Sequence, residues 1–464
     1  MPDRWVRPAI LLGIALAARA WQFGNPVLHV DDQFYLLVGD RMWAGALPYV
    51  DIWDRKPVGL FVIYAAIRML PGDGVLAYQL VATMFAVATA WVVAILADRI
   101  AGRGEALAAG AAYLLWLGAF GGDGGQAPVF YNLPVAVAAL LLVRIVEGGS
   151  AFRLGCIAMA LVGVAMQIKY TAVFEGVCFG LFLLWRVRGE RRMIAMAAVW
   201  IAIALLPTAL AWGCYAAIGH GEAFVFANFT SIFERSGDGP VASGTRLLKM
   251  LAKLSPLLLA VIVTRLCAPV TRFLAIWAAS AIAGVLLFGT YWDPYALPLL
   301  PPLCVLAAPS FTRWRGLAGA IVIVAGAGQS ANAIAKHRYQ RGDGVVAREI
   351  AAFAKPRLGS GCLFVLDGDP WLYAMSDSCL PTTRPFPDHL DNFREAGATG
   401  VDTDAEVRRI MATRPPVVIV SGAPEPKTNA TTRRIVVEAL AREYRPARQW
   451  RIGARSRVAF VLRD

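Results

Sequence analysis

Charge is scarce in this sequence: only 17% of its 464 residues are Asp, Glu, Lys or Arg, against 58% that are hydrophobic. A water-soluble chain of this length could not cover itself with so few polar side chains. Histidine is scarcer still, and His29, His220, His337 and His389 fall at no ligand spacing. The seven cysteines show no zinc-binding pattern either. Internal repeats and low-complexity tracts are absent from the sequence, which argues against a solenoid or a disordered chain. No small-residue cleavage site follows the first apolar run, so that run reads as an uncleaved span rather than a removed signal peptide.

What the sequence has instead is apolar blocks. They run over 8–24, 75–97, 105–120, 131–146, 154–169, 171–186, 193–217, 247–266, 272–290, 295–309 and 316–335. Crossing roughly 30 Å of hydrocarbon takes about 20 helical residues, so most of these blocks are of spanning length. A further run, 58–70, is too short to cross comfortably. The sequence therefore predicts an α-helical multi-spanning membrane protein with about eleven transmembrane helices. Residues 1–335 form the membrane domain and 336–464 a C-terminal α/β domain.

The formal net charge of +13 would suggest nucleic acid on a soluble protein. Here the basic residues sit in short loops, where they report topology instead. Without 58–70 as a crossing, every second loop carries arginine: Arg4 and Arg7, Arg99 and Arg103, Arg144 and Arg153, Arg186 to Arg192, Arg265 and Arg272, Arg313 and Arg315. This alternation places the N-terminus in the cytoplasm and the C-terminal domain outside, with 25–74 as the first outer loop. The acids of the membrane half gather on the outer side. Five cysteines lie in or beside apolar blocks; Cys362 and Cys379 lie in the tail and can pair if it faces an oxidising compartment.

The tail alternates helical patterns at 344–355, 402–413 and 430–445 with β-rich runs at 362–366, 417–420 and 458–462. Asp402 or Thr403 is placed to cap the second helix.

Chemistry concentrates in the first outer loop. Asp31-Asp32 follows the first span at once, and Asp54-Arg55-Lys56-Pro57 precedes the apolar run that returns to the membrane. Carboxylates at an interface are costly unless paired or used. One of them beside Arg55 or Lys56 stays ionised and can accept a proton, while the cations can hold a phosphate. The plainer alternative is that these charges only solvate a loop and anchor a helix end.

This arrangement resembles the polyprenyl-phosphate-sugar-dependent glycosyltransferases of GT-C type, which include the protein O-mannosyltransferases, the lipid A aminoarabinose transferases and the rhizobial galacturonosyltransferases. The resemblance lies in the acidic pair Asp31-Asp32 and the Lys56-Pro57 dipeptide within Trp53-Asp-Arg-Lys-Pro-Val-Gly-Leu-Phe61. It continues in Gln167-Ile-Lys-Tyr-Thr-Ala172, in Tyr291-Trp-Asp-Pro-Tyr-Ala-Leu-Pro-Leu-Leu-Pro301 and in the tail stretch from Asp367 to Leu390. Where many relatives have His-Tyr, this chain has Pro294-Tyr295, so no role of that histidine carries over.

The resemblance implies an inverting transferase at the outer face of a bacterial inner membrane. It would move a sugar from a polyprenyl phosphate to a hydroxyl of a glycan, lipid or protein. Asp31 is the expected general base, with Asp32 and Asp123 as further catalytic acids. Arg55, Lys56, Lys169, Arg235, Tyr291 and Tyr295 are the expected phosphate-binding residues. Mg²⁺ or Mn²⁺ would suit the oxygens of Asp31, Asp32 and Asp123, although adjacent acids alone do not specify a metal. Arg19, inside the first span, is expected to pair with a neighbouring helix. The tail shows no nucleophile–base set and is assigned to acceptor docking. The competing class is a transporter or flippase for lipid-linked sugars, whose charges would lie mid-span rather than in outer loops.

Overall fold

A computed structural model describes residues 3–453 and 455–463; the Arg4 side chain lies outside the described residues. The helices are α1 (Asp3–Arg19), α2 (Val30–Trp43), α3 (Val58–Arg68), α4 (Val75–Ala97), α5 (Arg103–Leu117), α6 (Ala127–Val146) and α7 (Ala151–Ile168). They continue with α8 (Val173–Arg186), α9 (Met193–Ala217), α10 (Gly221–Val225), α11 (Pro240–Ile262), α12 (Pro269–Phe288), α13 (Leu300–Ala307) and α14 (Leu317–Arg341). In the tail come α15 (Val345–Ala354), α16 (Leu372–Met375), α17 (Asp388–Asp391), α18 (Thr403–Ala412) and α19 (Ala430–Glu443).

Each predicted span coincides with one of these helices. Six of them, α4, α6, α7, α9, α12 and α14, are long and apolar enough to cross a membrane by length and composition. The remaining five are shorter or more polar: α1, α5 and α8 have 17, 15 and 14 residues. The 58–70 run folds as the short apolar α3. Only 11% of the most apolar window of α9 is buried by protein. Its outward side chains, Ile201, Leu205, Leu206 and Leu210 among them, are the surface expected where the solvent is lipid.

The chain divides into two compact units. One contains 1–23, 79–211 and 238–334; the other contains 24–78, 212–237 and 335–464. The division differs from a cut at 335/336, because residues 24–78 and 212–237 cluster with the tail rather than with the long helices.

In the first unit α6 packs along α7, α1 along α5, and α8 along α12. In the second, α2 crosses α3 closely. A Cβ at Gly39 would lie 2.6 Å from the Tyr64 carbonyl carbon, so only glycine fits there.

The tail sheet has order β1-β2-β4-β3, formed by β1 (Phe364–Val365), β2 (Val417–Ser421), β3 (Tyr444–Ile452) and β4 (Arg455–Leu462). β1 and β2 are parallel, and β4 runs antiparallel to both β2 and β3. Asp402 caps α18 by accepting the Asp404 and Ala405 amides. Sequence reading misses β3. Five consecutive residues of this strand are exposed, and it carries three arginines and a proline, so it lacks the alternation that marks a half-buried strand.

Cys362 and Cys379 form a disulfide across 17 residues, with Cα atoms 5.0 Å apart. A loop of that size contributes about 3 kcal/mol. The Cys362→Ser, Cys379→Ser double variant is therefore expected to unfold at visibly lower denaturant concentration than the parent. Coincident unfolding curves for the two would show that the bridge does not stabilise the tail.

Candidate active site

The second unit gathers the first-loop charges around one turn. Tyr49 sits in the left-handed region at φ 71°, a strained setting for a bulky residue, and its amide donates to the Ile52 carbonyl at 2.8 Å. Its hydroxyl donates to the Lys56 carbonyl at 2.8 Å. Pro57 holds the residue before it out of helical conformation, so α3 begins at Val58 and the Lys56 carbonyl stays available to Tyr49.

Residues of the tail close over this turn. The Trp53 amide donates to the Thr383 carbonyl at 2.8 Å, and the Trp53 ring packs edge-on against His389 with centroids 4.8 Å apart. Arg55 is committed to protein on three sides. It donates to Glu395 at 2.5 Å, to Ser231 at 3.1 Å and to the Ala398 carbonyl at 2.6 Å. Arg235 pairs with the same Glu395 at 2.7 Å. Both arginines were phosphate candidates by sequence; in the fold they clamp the loop through one buried carboxylate.

Asp31 and Asp32 open α2, where carboxylates favour the helix N-terminus. Asp32 is fully buried and Asp31 partly exposed. One turn on, Tyr35 is buried, and its hydroxyl has no hydrogen-bond partner. Burial, then the charges of Asp31, Asp54 and Asp32, keep this phenol protonated far above its ordinary range. Lys56 Nζ lies 5.5 Å over the Tyr35 ring and 4.0 Å from Asp54, with 28% of the lysine side chain exposed. Asp54 is buried, accepts the Arg55 amide at 2.7 Å and lies 4.0 Å from His389 Nε2. Burial raises the Asp54 carboxyl above the usual range, against the lowering influence of Lys56, and Asp31 raises it further. His389 is driven toward the neutral form by burial and by Arg55, Lys56, Arg384 and Arg235.

Sequence reading did not select Tyr35, Asp54, His389 or Glu395 as site residues. The first two leave a faint signal: Tyr35 is four residues after Asp31, on the same helix face, and Asp54 adjoins the basic pair. The tail residues leave none.

Because the Asp54 pKa is raised, its base form is lost on acidification at a higher pH than an ordinary carboxylate's. If Asp54 limits turnover, kcat/KM should fall on the acid side at a higher pH than an ordinary carboxylate would give, and Asp54→Asn should abolish that limb. An unaltered pH profile in the variant would remove Asp54 from the reaction.

The first unit holds the other candidates. Asp123 is buried and accepts from Gln22 Nε2 at 3.0 Å. Arg19 donates to Thr83 of α4 at 2.9 Å and to the Gly122 and Gly124 carbonyls at 2.5 and 2.7 Å, so it organises the glycine turn that presents Asp123. Lys169 ends α7 with Nζ 4.1 Å over the Tyr295 ring, and Tyr295 stacks on Phe288. Tyr295 also lines a cavity of about 20 Å³ with Tyr131, Thr171 and Glu175, a buried carboxyl in an otherwise apolar helix. Tyr291 adopts φ 53° and donates to the Leu286 carbonyl at 3.3 Å. A far larger apolar groove, about 1090 Å³, lies between α8 and α12; none of these candidates lines it, and lipid chains are its natural filling.

Among known proteins, the family described as dolichyl-phosphate-mannose-protein mannosyltransferase matches residues 54–212. Curated protein sequences give no match. Among solved structures, ArnT from Cupriavidus metallidurans is similar over 99% of this chain and 98% of its own. In the apo state it shows 16% identity and a TM-score of 0.67; bound to undecaprenyl phosphate, 13% and 0.63. The arabinofuranosyltransferase AftD from Mycobacteria is similar at 15% identity and a TM-score of 0.51, over 99% of this chain and 42% of AftD. The chain therefore shares the fold of ArnT, and within it residues 54–212 match the family model described as dolichyl-phosphate-mannose-protein mannosyltransferase.

Proposed function

We propose that the protein is an inverting glycosyltransferase acting at the outer face of a bacterial inner membrane, with its N-terminus in the cytoplasm. The donor is a sugar on a polyprenyl phosphate and the acceptor is a hydroxyl. The bond from the anomeric carbon to the phosphate oxygen breaks as the bond to the acceptor oxygen forms on the opposite face. The acceptor proton passes to Asp31, and the phosphate leaves with the electron pair. Lys56 meets the growing phosphate charge. Tyr35, through its unpartnered hydroxyl, is a further donor beside it. Arg55 and Arg235 hold the loop against Glu395 instead of touching substrate. Asp32, fully buried beside Asp31 in the first turn of α2, is a further acid of the site.

Lys169, Tyr295 and Asp123 belong to the other compact unit and are given no part in this step. Successive residues on a helix diverge by about 100°, so Asp31 and Asp32 do not converge on one ion. Among the described residues neither belongs to a group of three ligands close enough to share a metal. No step is assigned to a metal held by this pair.

One observation carries the reading. Lys56, its side chain 28% exposed, places its ammonium 4.0 Å from Asp54 and 5.5 Å over the Tyr35 ring, and Asp31 acts electrostatically on Asp54 and Tyr35. A loop that merely solvated a helix end would not bury Asp54 and Asp32. Purified protein incubated with a radiolabelled polyprenyl-phosphate sugar should move label to a water-soluble or lipid acceptor. Passage of intact donor across vesicles without bond cleavage would instead establish a transporter.

A further inference from the structure

The charged loops at one edge of the tail sheet form a second polar site. β1 and β2 are parallel, so both carboxyl ends reach this edge, and antiparallel β4 starts there, with Arg457 opposite Ser421. In open α/β sheets this edge is where ligands bind. Asp367-Gly368-Asp369 follows β1, Glu425 and Lys427 follow β2, and α17 adds Asp388 and Asp391. With Arg455 and Arg457 they line a cavity of about 80 Å³.

Most of these charges are paired. Arg433 meets Asp367 at 3.1 Å, Lys427 meets Asp388 at 2.6 Å, and Arg455 meets Glu425 at 2.7 Å. Two atoms are not. Asp391 is 5% exposed and its Oδ1 has no partner; Arg457 is 8% exposed and its Nε has none. Asp391 and Arg457, each with one hydrogen-bonding atom that lacks a protein partner, both line this cavity, and such atoms are the ones a ligand can satisfy. Gly368 keeps the floor open. At φ +147° it adopts a conformation that other residues rarely reach, and a Cβ there would stand in contact with Val365 and with Arg457 Nε, at 3.3 and 3.4 Å.

The chemistry selects the ligand. Burial, then the charge of Asp367, pushes the Asp391 carboxyl up to about 8, so at neutral pH it largely keeps its proton and can both donate and accept. Arg457 Nε only donates. A cation would face three basic side chains already seated on the carboxylates, and no three of these acids group closely enough for a metal among the described residues. An anion would face Asp369, Asp388 and Glu425 beside Arg341, Lys427, Arg455 and Arg457, so the lining carries both signs. Vicinal sugar hydroxyls, which give and accept at once, suit both unpartnered atoms.

We propose that this cleft binds the hydroxyls of a neutral saccharide, and that the saccharide belongs to the acceptor. The first statement stands on the cleft itself; the second rests on the glycosyltransferase reading.

The test uses the full-length protein in detergent, with methyl β-glucoside and methyl β-galactoside as probes in saturation-transfer NMR, against inorganic phosphate and Ca²⁺. At least one glycoside should receive saturation, and Asp391→Leu and Arg457→Gln should each weaken it about tenfold or more. Circular dichroism on the two variants identifies any that has lost its fold, and the other then decides. Absence of saturation transfer to either glycoside overturns the proposal. So does binding of phosphate or Ca²⁺ alone, or unchanged glycoside binding in the folded variants. In the transfer assay the variants should still release sugar from the donor to water while transfer to a glycan acceptor drops. If the parent itself releases none, the glycosyltransferase reading fails, and the binding result is judged separately.

Discussion

Asp31→Asn is expected to lower turnover by a hundredfold or more while donor binding stays within a few-fold of the parent. The substitution keeps the shape of the side chain and its place in the first turn of α2 but removes the basic oxygen. General-base assistance is worth roughly 10²–10⁴-fold, and the loss falls on kcat because the interaction exists only as the proton moves. The matched measurement is single-turnover release of labelled sugar beside equilibrium binding of the donor. A rate near that of the parent would exclude Asp31. Asp54→Asn is the natural companion. If Asp54, whose carboxyl burial makes more basic, is the true base, the large loss moves to that variant and Asp31→Asn falls only modestly.

Lys56→Gln is expected to cost about 10²–10³-fold in kcat/KM, the magnitude typical of removing one preorganised donor to a developing oxyanion. Two features make Lys56 the cation of choice. Its ammonium lies 4.0 Å from Asp54 and 5.5 Å over the Tyr35 ring, among the groups on which Asp31 acts. Its backbone is also fixed by Tyr49, so the ammonium is presented without ordering the loop on each turnover. The loss should appear with the intact donor and also in the binding of polyprenyl phosphate alone. An unchanged affinity for polyprenyl phosphate together with an unchanged rate would assign the phosphate to another cation. Glu395→Gln offers a contrast, because it strands Arg55 and should damage stability as much as rate.

The tail bears on both experiments. It was assigned to acceptor docking by sequence, yet Thr383, His389, Glu395 and Ala398 all touch the 53–55 turn. Removing 340–464 would uncover Trp53 and leave Arg55 without its carboxylate, so truncation cannot separate acceptor binding from integrity of the loop. Point changes in the polar cleft can.

Legibility followed physical scale. Lipid as solvent, the positions of the apolar helices, the helix caps and the strands of the tail were readable, because each rests on patterns within some 20 residues. The polar edge strand β3 was not, since its identity depends on pairing with β4 and not on its own side chains.

By itself the sequence determined that the chain has the apolar helices of a membrane protein, that an acid pair follows the first of them, and that Lys56-Pro57 ends the turn before α3. These are properties of neighbouring residues and their dihedral preferences. Only tertiary structure decided which groups each charge meets. Arg55 and Lys56 are adjacent and equally basic, but Arg55 meets partners 340 and 343 residues away, while Lys56 points to Tyr35 and Asp54. Pairing at such separations follows from how the chain packs, and no local pattern encodes it.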